Sequence, residues 1–283
     1  MHRLIKWFIW PLAAMLASLA LLAAGYQTLL QAPVTTITPR KAAQQRANLA
    51  ASVAATVAQR AKIEDADLRT LLNAQASTAS LIQRAGVGRL AIPAADISLP
   101  VFNRINDETL SAGVALYYPE RRLGQGNTVM AAHNFVGADV LLKQIAGLKV
   151  GDTMLVSDLT TVWRYRVAIN QVVDASQVSV LADTADARLT LIRCEGARGT
   201  RYRRVVVGLL TSATSLKSNS AQAKALHITP THTRSPRPGL LAWVGQALAR
   251  TLRFGRLDGW LWGLLLINVA LLLGCAAGYV WRD

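Results

Sequence analysis

Two long apolar runs, one near each end of the chain, limit how it can fold. The first covers residues 7–39 without a charged side chain, and the second covers residues 259–280. A helix needs about 20 apolar residues to cross a bilayer core of about 30 Å. We therefore expect a membrane anchor or uncleaved signal at residues 1–30 and a C-terminal transmembrane helix at residues 257–281.

The charges around the first run predict which side of the membrane the middle of the chain occupies. Arg3 and Lys6 precede the run, and the next basic residue is Arg40. The positive-inside rule then keeps the amino terminus in the cytoplasm and exports the residues after the run. A cleaved signal peptide is the alternative, and it exports the same residues. With both runs spanning, seven basic residues from Lys217 to Arg256 lie outside, against the trend of that rule.

The positive charge is concentrated in the flanks of the chain. The net charge is +15, yet residues 88–210 hold fourteen basic and eleven acidic side chains. A nucleic-acid-binding protein carries its basic patch on the folded domain. We therefore expect no nucleic-acid partner, and we expect the basic flanks to lie near anionic lipid or wall polymer.

The segments between the apolar runs differ in pattern. Residues 31–85 are predicted to form a helical stalk, or a helical arm on the domain, because Ala is dense and apolar residues recur at helical spacing. Residues 86–210 contain many short β runs, which favour a closed or nearly closed barrel. Residues 211–238 are predicted to be a flexible linker. Residues 239–256 form either a basic amphipathic segment on the membrane surface or an extension of the last helix.

Cys194 and His133 are the candidates for nucleophilic chemistry. Cys194 follows a predicted strand and precedes a glycine-containing loop, while the other cysteine, Cys275, lies in the second apolar run. Arginines at 193, 198, 201, 203 and 204 favour its thiolate form. His133 ends the apolar run 128–132 and can serve as a general acid or base. The alternatives are a buried small cysteine and a structural histidine.

Arg203 begins the last β run of the middle segment. A guanidinium beside a thioester-forming centre can donate hydrogen bonds to a developing oxyanion; otherwise it is a solvated strand end. One cysteine and one histidine cannot fill a tetrahedral zinc site, and the chain has no CxxC or HxxxH spacing. No phosphate-binding GxxxxGK[ST] motif occurs either. We predict no metal and no cofactor.

The order of these residues resembles the sortase family. That family has a strand-end His, a Thr-Leu-x-Thr-Cys strand and an Arg opening the next strand. The corresponding residues here are His133, the run Thr190-Leu191-Ile192-Arg193-Cys194, and Arg203. The resemblance implies an eight-stranded β barrel with short helices, a catalytic domain at residues 86–210, and His133, Cys194 and Arg203 as the catalytic set.

The resemblance also implies the reaction and the partners. A cysteine transpeptidase of this type cleaves a Leu-Pro-x-Thr-Gly-like sorting signal between Thr and Gly through a thioacyl intermediate. It then transfers the surface protein or pilin to an amine of a cell-wall peptidoglycan precursor or of a pilin lysine. The implied location is the cell membrane of a Gram-positive-type cell, with the catalytic domain outside.

The sequence departs from the family pattern in several places. Arg193 stands where the family usually has Thr. The barrel resembles housekeeping, class A members, whereas the C-terminal span resembles pilin-polymerising, class C members, whose Asp-Pro-aromatic lid is missing from residues 31–90. Calcium sites in some members need clustered acids, and only Glu120 stands in the loop before His133. Two alternatives stay open: a non-catalytic membrane-tethered β module that binds a partner or wall polymer, and a related thiol hydrolase.

Overall fold

The computed structural model describes residues 37–48, 53, 66–217 and 220–228. These residues belong to one compact unit that covers residues 32–235. The predicted segments 1–30, 239–256 and 257–281 lie outside the described residues. Within the described residues, no helix combines the length and the apolar character that a bilayer crossing requires.

Eight strands of the described chain close into a barrel. Around the barrel their order is β1-β2-β3-β4-β7-β8-β6-β5. Strands β2 and β3 pair in parallel, as do β4 and β7, and the other neighbours are antiparallel. The mainly-β, eight-stranded fold is therefore confirmed. The strands are β1 Gly86–Ile92, β2 Ile97–Phe102, β3 Val114–Leu116, β4 Asn127–Ala131, β5 Thr153–Ser157, β6 Thr161–Asp174, β7 Arg188–Cys194 and β8 Tyr202–Ser215.

Side chains from opposite strands pack tightly in the barrel interior. Tyr165, Met154 and Leu189 are fully buried there. Gly208 on β8 faces the same space, and a Cβ built on it would lie 2.4 Å from the Met154 methyl carbon. Real Cβ contacts are not this short, so the interior is filled without room for a side chain at that position.

Among the described residues, four α-helices of five or more residues lie around the barrel, and two of them precede it. They are α1 Pro39–Ala47, α2 Leu68–Ala85, α3 Asp107–Ala112 and α4 Ala221–Ala225; short 3-10 helices span Pro93–Ala95, Lys143–Gly147 and Val178–Leu181. Asp67 caps α2 by accepting a 2.8 Å bond from the Thr70 amide. The buried face of α2 packs on α3, β1 and β2. It consists of Leu71, Ala74, Gln75, Thr78, Leu81, Ile82 and Ala85.

The linker expected at residues 211–238 does not begin at 211. Strand β8 continues to Ser215 and pairs with β6 as far as Thr161. Residues 220–228 then return to the barrel, where Leu226 is 0% exposed. The Leu226 carbonyl accepts a 2.8 Å bond from Nε of the buried Arg89, and burial lowers the pKa of Arg89 to about 10. The segment is anchored to the barrel by two buried side chains, Ala223 and Leu226. Two apolar residues are too few to show a periodic pattern in the sequence. Residues 229–238 lie outside the described residues.

Candidate active site

Strand register brings the three predicted residues side by side. In the parallel pair β4 and β7, Ala131 lies opposite Ile192, so continuing the register by two residues places His133 level with Cys194. In the antiparallel pair β7 and β8, Cys194 lies opposite Arg203. Neighbouring strands are about 4.8 Å apart. His133, just after β4, and Cys194, at the end of β7, are 61 positions apart in the chain and are therefore brought together at one end of the barrel.

All three side chains line one cavity with a volume of about 310 Å³. Side chains alternate between the two faces of a strand. His133, Cys194 and Arg203 therefore share a face with Ala131, Ile192 and Val205, which line the same cavity. The remaining lining is mostly apolar: Ile105, Leu110, Tyr117, Ala132, Val173, Asp174, Ala175, Gln177, Val178, Val180, Leu181 and Arg193.

His133 is 6% exposed and is held at two points. Its amide donates a 3.0 Å bond to the Leu110 carbonyl, and its Nε2 lies 3.2 Å from Oδ1 of Asp107. A carboxylate acceptor assigns the proton to Nε2, which makes Nδ1 the nitrogen that can accept a proton. Phe135 packs edge-on against the ring at 6.1 Å between centroids. The imidazole is thus oriented before any substrate arrives.

Asp107 is a residue of the candidate site that the sequence interpretation did not name. It opens α3, whose start is fixed by a capping box between Asn106 and Thr109. The Asn106 to Thr109 spacing was a visible signal for this short helix. No local signal shows that the first carboxylate of α3 meets a histidine 26 residues later.

Arg203 is partly buried and lies at the loop between β7 and β8. Its Nη1 donates 2.8 and 3.0 Å bonds to the carbonyls of Thr200 and Tyr202. A guanidinium has five N–H donors in a fixed plane. Among the described residues, the Nε and Nη2 donors of Arg203 make no hydrogen bond, and Arg203 lines the cavity.

Three other arginines near Cys194 are held by acidic side chains. Glu195 pairs with Arg193 at 3.1 Å and with Arg204 at 2.9 Å, and Arg201 pairs with Asp174 at 2.6 Å. Partial burial acts to raise the pKa of Glu195. The hydrogen bond from Arg204 and the nearby positive charges outweigh it and hold that pKa below its usual value. Glu195 is therefore charged at neutral pH, and it balances part of the arginine cluster.

Metal ligands are not clustered in the described part of the chain. No group of three or more His, Cys, Asp or Glu side chains there is placed to hold an ion. The absence of a metal and of a cofactor stays a prediction.

Comparison with known proteins gives consistent matches over the barrel. A family model described as the sortase domain matches residues 90–211. Sortase A of Listeria monocytogenes is 32% identical over 153 residues, which cover 54% of this chain and 69% of that protein. Sortase A of Bacillus anthracis is 31% identical over 156 residues, covering 55% and 72%. The solved structure of the Listeria monocytogenes enzyme has 33% identity and a TM-score of 0.48, and the match covers 50% of this chain and 97% of that one.

Proposed function

Since this chain belongs to the sortase family, whose members are cysteine transpeptidases that anchor surface proteins, we propose that it cleaves a Leu-Pro-x-Thr-Gly-like sorting signal between Thr and Gly. The observation that carries this proposal is that Cys194 on β7, Arg203 on β8 and His133, two residues after the end of β4, line one cavity. An extended peptide laid in the cavity would place its apolar Leu and Pro against the apolar wall, with the scissile carbonyl at the sulfur.

The first half of the reaction forms a thioacyl enzyme. The Cys194 sulfur attacks the carbonyl carbon of the Thr residue, a C–S bond forms, and the carbonyl oxygen becomes an oxyanion. The Nε and Nη2 donors of Arg203 can hydrogen-bond that oxyanion. His133 protonates the amine of the leaving Gly as the C–N bond breaks, and Asp107 stabilises the imidazolium that precedes this transfer.

The second half transfers the acyl group to an amine. His133 removes a proton from the incoming amine, whose nitrogen attacks the thioester carbon. The C–S bond then breaks and Cys194 is released with a new amide as the product. We propose an amine of a cell-wall peptidoglycan precursor or a pilin lysine as the acceptor, and a Leu-Pro-x-Thr-Gly-bearing surface protein or pilin as the donor.

A peptide assay with matched cysteine variants tests the proposal. Cys194→Ala is expected to abolish cleavage of a Leu-Pro-x-Thr-Gly peptide with thermal unfolding unchanged, because the change in volume is small. Cys275→Ala, which removes the other cysteine, is expected to keep the parent rate. Retained cleavage by Cys194→Ala would refute the proposal. Products formed with and without added triglycine separate a transpeptidase from a hydrolase.

We also propose that residues 1–30 and 257–281 hold the enzyme in the cell membrane with residues 86–210 outside. Residues 239–256 would then contact anionic lipid. In intact cells carrying Cys275→Ala, a membrane-impermeant maleimide should label Cys194. Labelling that requires lysis of the cells would contradict this orientation.

A further inference from the structure

Arg193 is an arginine buried beneath the nucleophile. It precedes Cys194 on β7 and is 3% exposed. Where the family pattern has a small Thr, this chain inserts a full guanidinium into the end of the barrel. Burying a charge is costly unless it is paired and hydrogen-bonded, so the contacts that Arg193 makes explain why this position can hold it.

The guanidinium of Arg193 links two segments of the candidate site. Its Nη1 donates a 2.7 Å bond to the carbonyl of Cys194 itself. Its Nε donates a 3.0 Å bond to the Leu142 carbonyl, and its Nη2 lies 3.3 Å from the Lys143 carbonyl. Leu142 and Lys143 end the segment that begins at His133. One side chain therefore ties the strand that carries the sulfur to the segment that carries the imidazole.

The charge around this link is positive overall. Glu195 accepts from both Arg193 and Arg204, so these three groups together carry one net positive charge. Burial lowers the pKa of Arg193, and attraction to Glu195 and to the Cys194 sulfur opposes that effect. The same attraction, seen from the sulfur, favours the thiolate over the thiol.

We propose that Arg193 is a positioning residue for the nucleophile: its guanidinium fixes the backbone of Cys194 against the segment after His133, and its charge favours the thiolate. The inference rests on the proposed function for its effect on turnover. Its effect on the sulfur can be measured without turnover. Arg193 is proposed to act through Cys194, to whose carbonyl it donates a hydrogen bond.

Other charged groups also face the sulfur from the surrounding elements. Arg203 lies opposite Cys194 on β8, and Asp174 at the end of β6 lines the cavity. His133 follows the end of β4, and Asp107 lies 3.2 Å from its Nε2. The positive charge of Lys143 lowers the pKa of Glu195. These groups are unchanged by substitution of Arg193, so a shift measured in an Arg193 variant reports the loss of that guanidinium.

The test is the pH dependence of Cys194 alkylation in the full-length chain. Iodoacetamide labelling is followed by peptide mass spectrometry, so that Cys194 and Cys275 are counted separately. Arg193→Met is expected to move the midpoint of labelling about one pH unit higher, the size of shift that a neighbouring opposite charge produces. Arg193→Lys keeps the charge and should shift the midpoint by less than half of that. Arg188→Met, at the other end of the same strand, should leave it unchanged.

Measuring kcat for peptide cleavage separates the effect of Arg193 on the position of Cys194 from the effect of its charge. Arg193→Lys loses the planar fork that reaches three carbonyls, so its kcat for peptide cleavage should fall about tenfold with little change in KM. An Arg193→Met midpoint within 0.2 pH units of the parent, or an Arg193→Lys kcat equal to the parent, would overturn the proposal. If Arg193→Met does not fold, Arg193→Gln, which removes the charge but keeps amide donors for the carbonyls, takes its place.

If the chain cleaves no sorting peptide at all, the proposed function fails, and the labelling midpoint still decides the role of Arg193. A shifted midpoint without turnover leaves the electrostatic link standing. An unshifted midpoint with normal turnover removes the link and leaves the proposed function intact.

Discussion

The contact between Asp107 and His133 gives a prediction whose size is set by the structure. Oδ1 of Asp107 lies 3.2 Å from Nε2 of His133, and the Asp107 side chain is 49% exposed. Two charges 4 Å apart interact by about 1 kcal/mol in water and about 4 kcal/mol near a protein surface. Exposure of the carboxylate places this pair near the lower figure, at about 1 to 2 kcal/mol. One pH unit corresponds to about 1.4 kcal/mol.

Asp107→Asn should therefore shift the pH profile of peptide cleavage. His133 must be protonated to give its proton to the leaving amine, and Asp107 favours the protonated form. Without that carboxylate, the basic limb of kcat/KM against pH should move about one unit lower, and kcat at neutral pH should fall about tenfold.

The control for this experiment is Glu108→Gln. Glu108 lies in the same turn of α3 and pairs with Arg84 at 3.9 Å, away from the histidine. The Glu108→Gln substitution should leave the pH profile of peptide cleavage unchanged. A profile for Asp107→Asn that coincides with the parent profile, in a variant that unfolds at the parent temperature, would refute the role assigned to Asp107.

Two further predictions concern stability. Gly88→Ala should lower the free energy of unfolding by about 3 kcal/mol, because its Cβ would lie 2.2 Å from the Ser157 carbonyl oxygen, whereas Gly147→Ala, with nothing within 4 Å, should be neutral. Urea titrations of both variants decide this, and an unaffected Gly88→Ala would contradict the packing described for β1 and β5. Partial burial acts to raise the pKa of Asp158, but bonds from Thr160 and Thr161 and the charge of Arg46 hold it below its ordinary value of 3.8. Its contribution is therefore present above pH 3.8 and lost as pH falls below it. The loss of stability in Asp158→Asn should be measurable at pH 7 and should shrink by pH 2.5; an equal loss at both pH values would count against the charge.

Strand prediction succeeded where alternation was long. The alternation of Val, Trp, Tyr, Val, Ile and Val over residues 161–173 predicts a long strand, and β6 runs from Thr161 to Asp174. Strand β3, at Val114–Leu116, was missed. Three residues are too few to show a period, and this strand is held by its neighbours β2 and β4.

The helical arm was predicted in part. Helix α2, Leu68–Ala85, lies within the residues 31–85 predicted to be helical, and Asp67 supplies its cap. The segment 220–228 was expected to belong to a flexible linker. Its attachment to the barrel could not be predicted, because it depends on a buried arginine 137 residues earlier in the chain. Contacts of this kind are set by the closed barrel and leave no local pattern in the sequence.

The candidate site divides in the same way. His133 and Cys194 were candidates from the sequence because each stands at the end of a β run, whereas the choice of Arg203 came from the resemblance to the sortase family; barrel closure brings the ends of these runs together. Asp107 and the contacts of Arg193 could not be chosen, since both depend on loops that fold back from 26 and about 50 residues away. The departure from Thr at position 193 was visible in the sequence, but its carbonyl partners were not.

The proposed mechanism requires the sulfur of Cys194 to carry the acyl group between the two substrates. Full-length enzyme mixed briefly with a Leu-Pro-x-Thr-Gly peptide and quenched in acid should yield a Cys194-containing peptide heavier by the acyl mass of the fragment ending in Thr. Added triglycine should discharge that mass. Cleaved substrate without any acyl mass on Cys194, under quench conditions that preserve a thioester, would contradict the account.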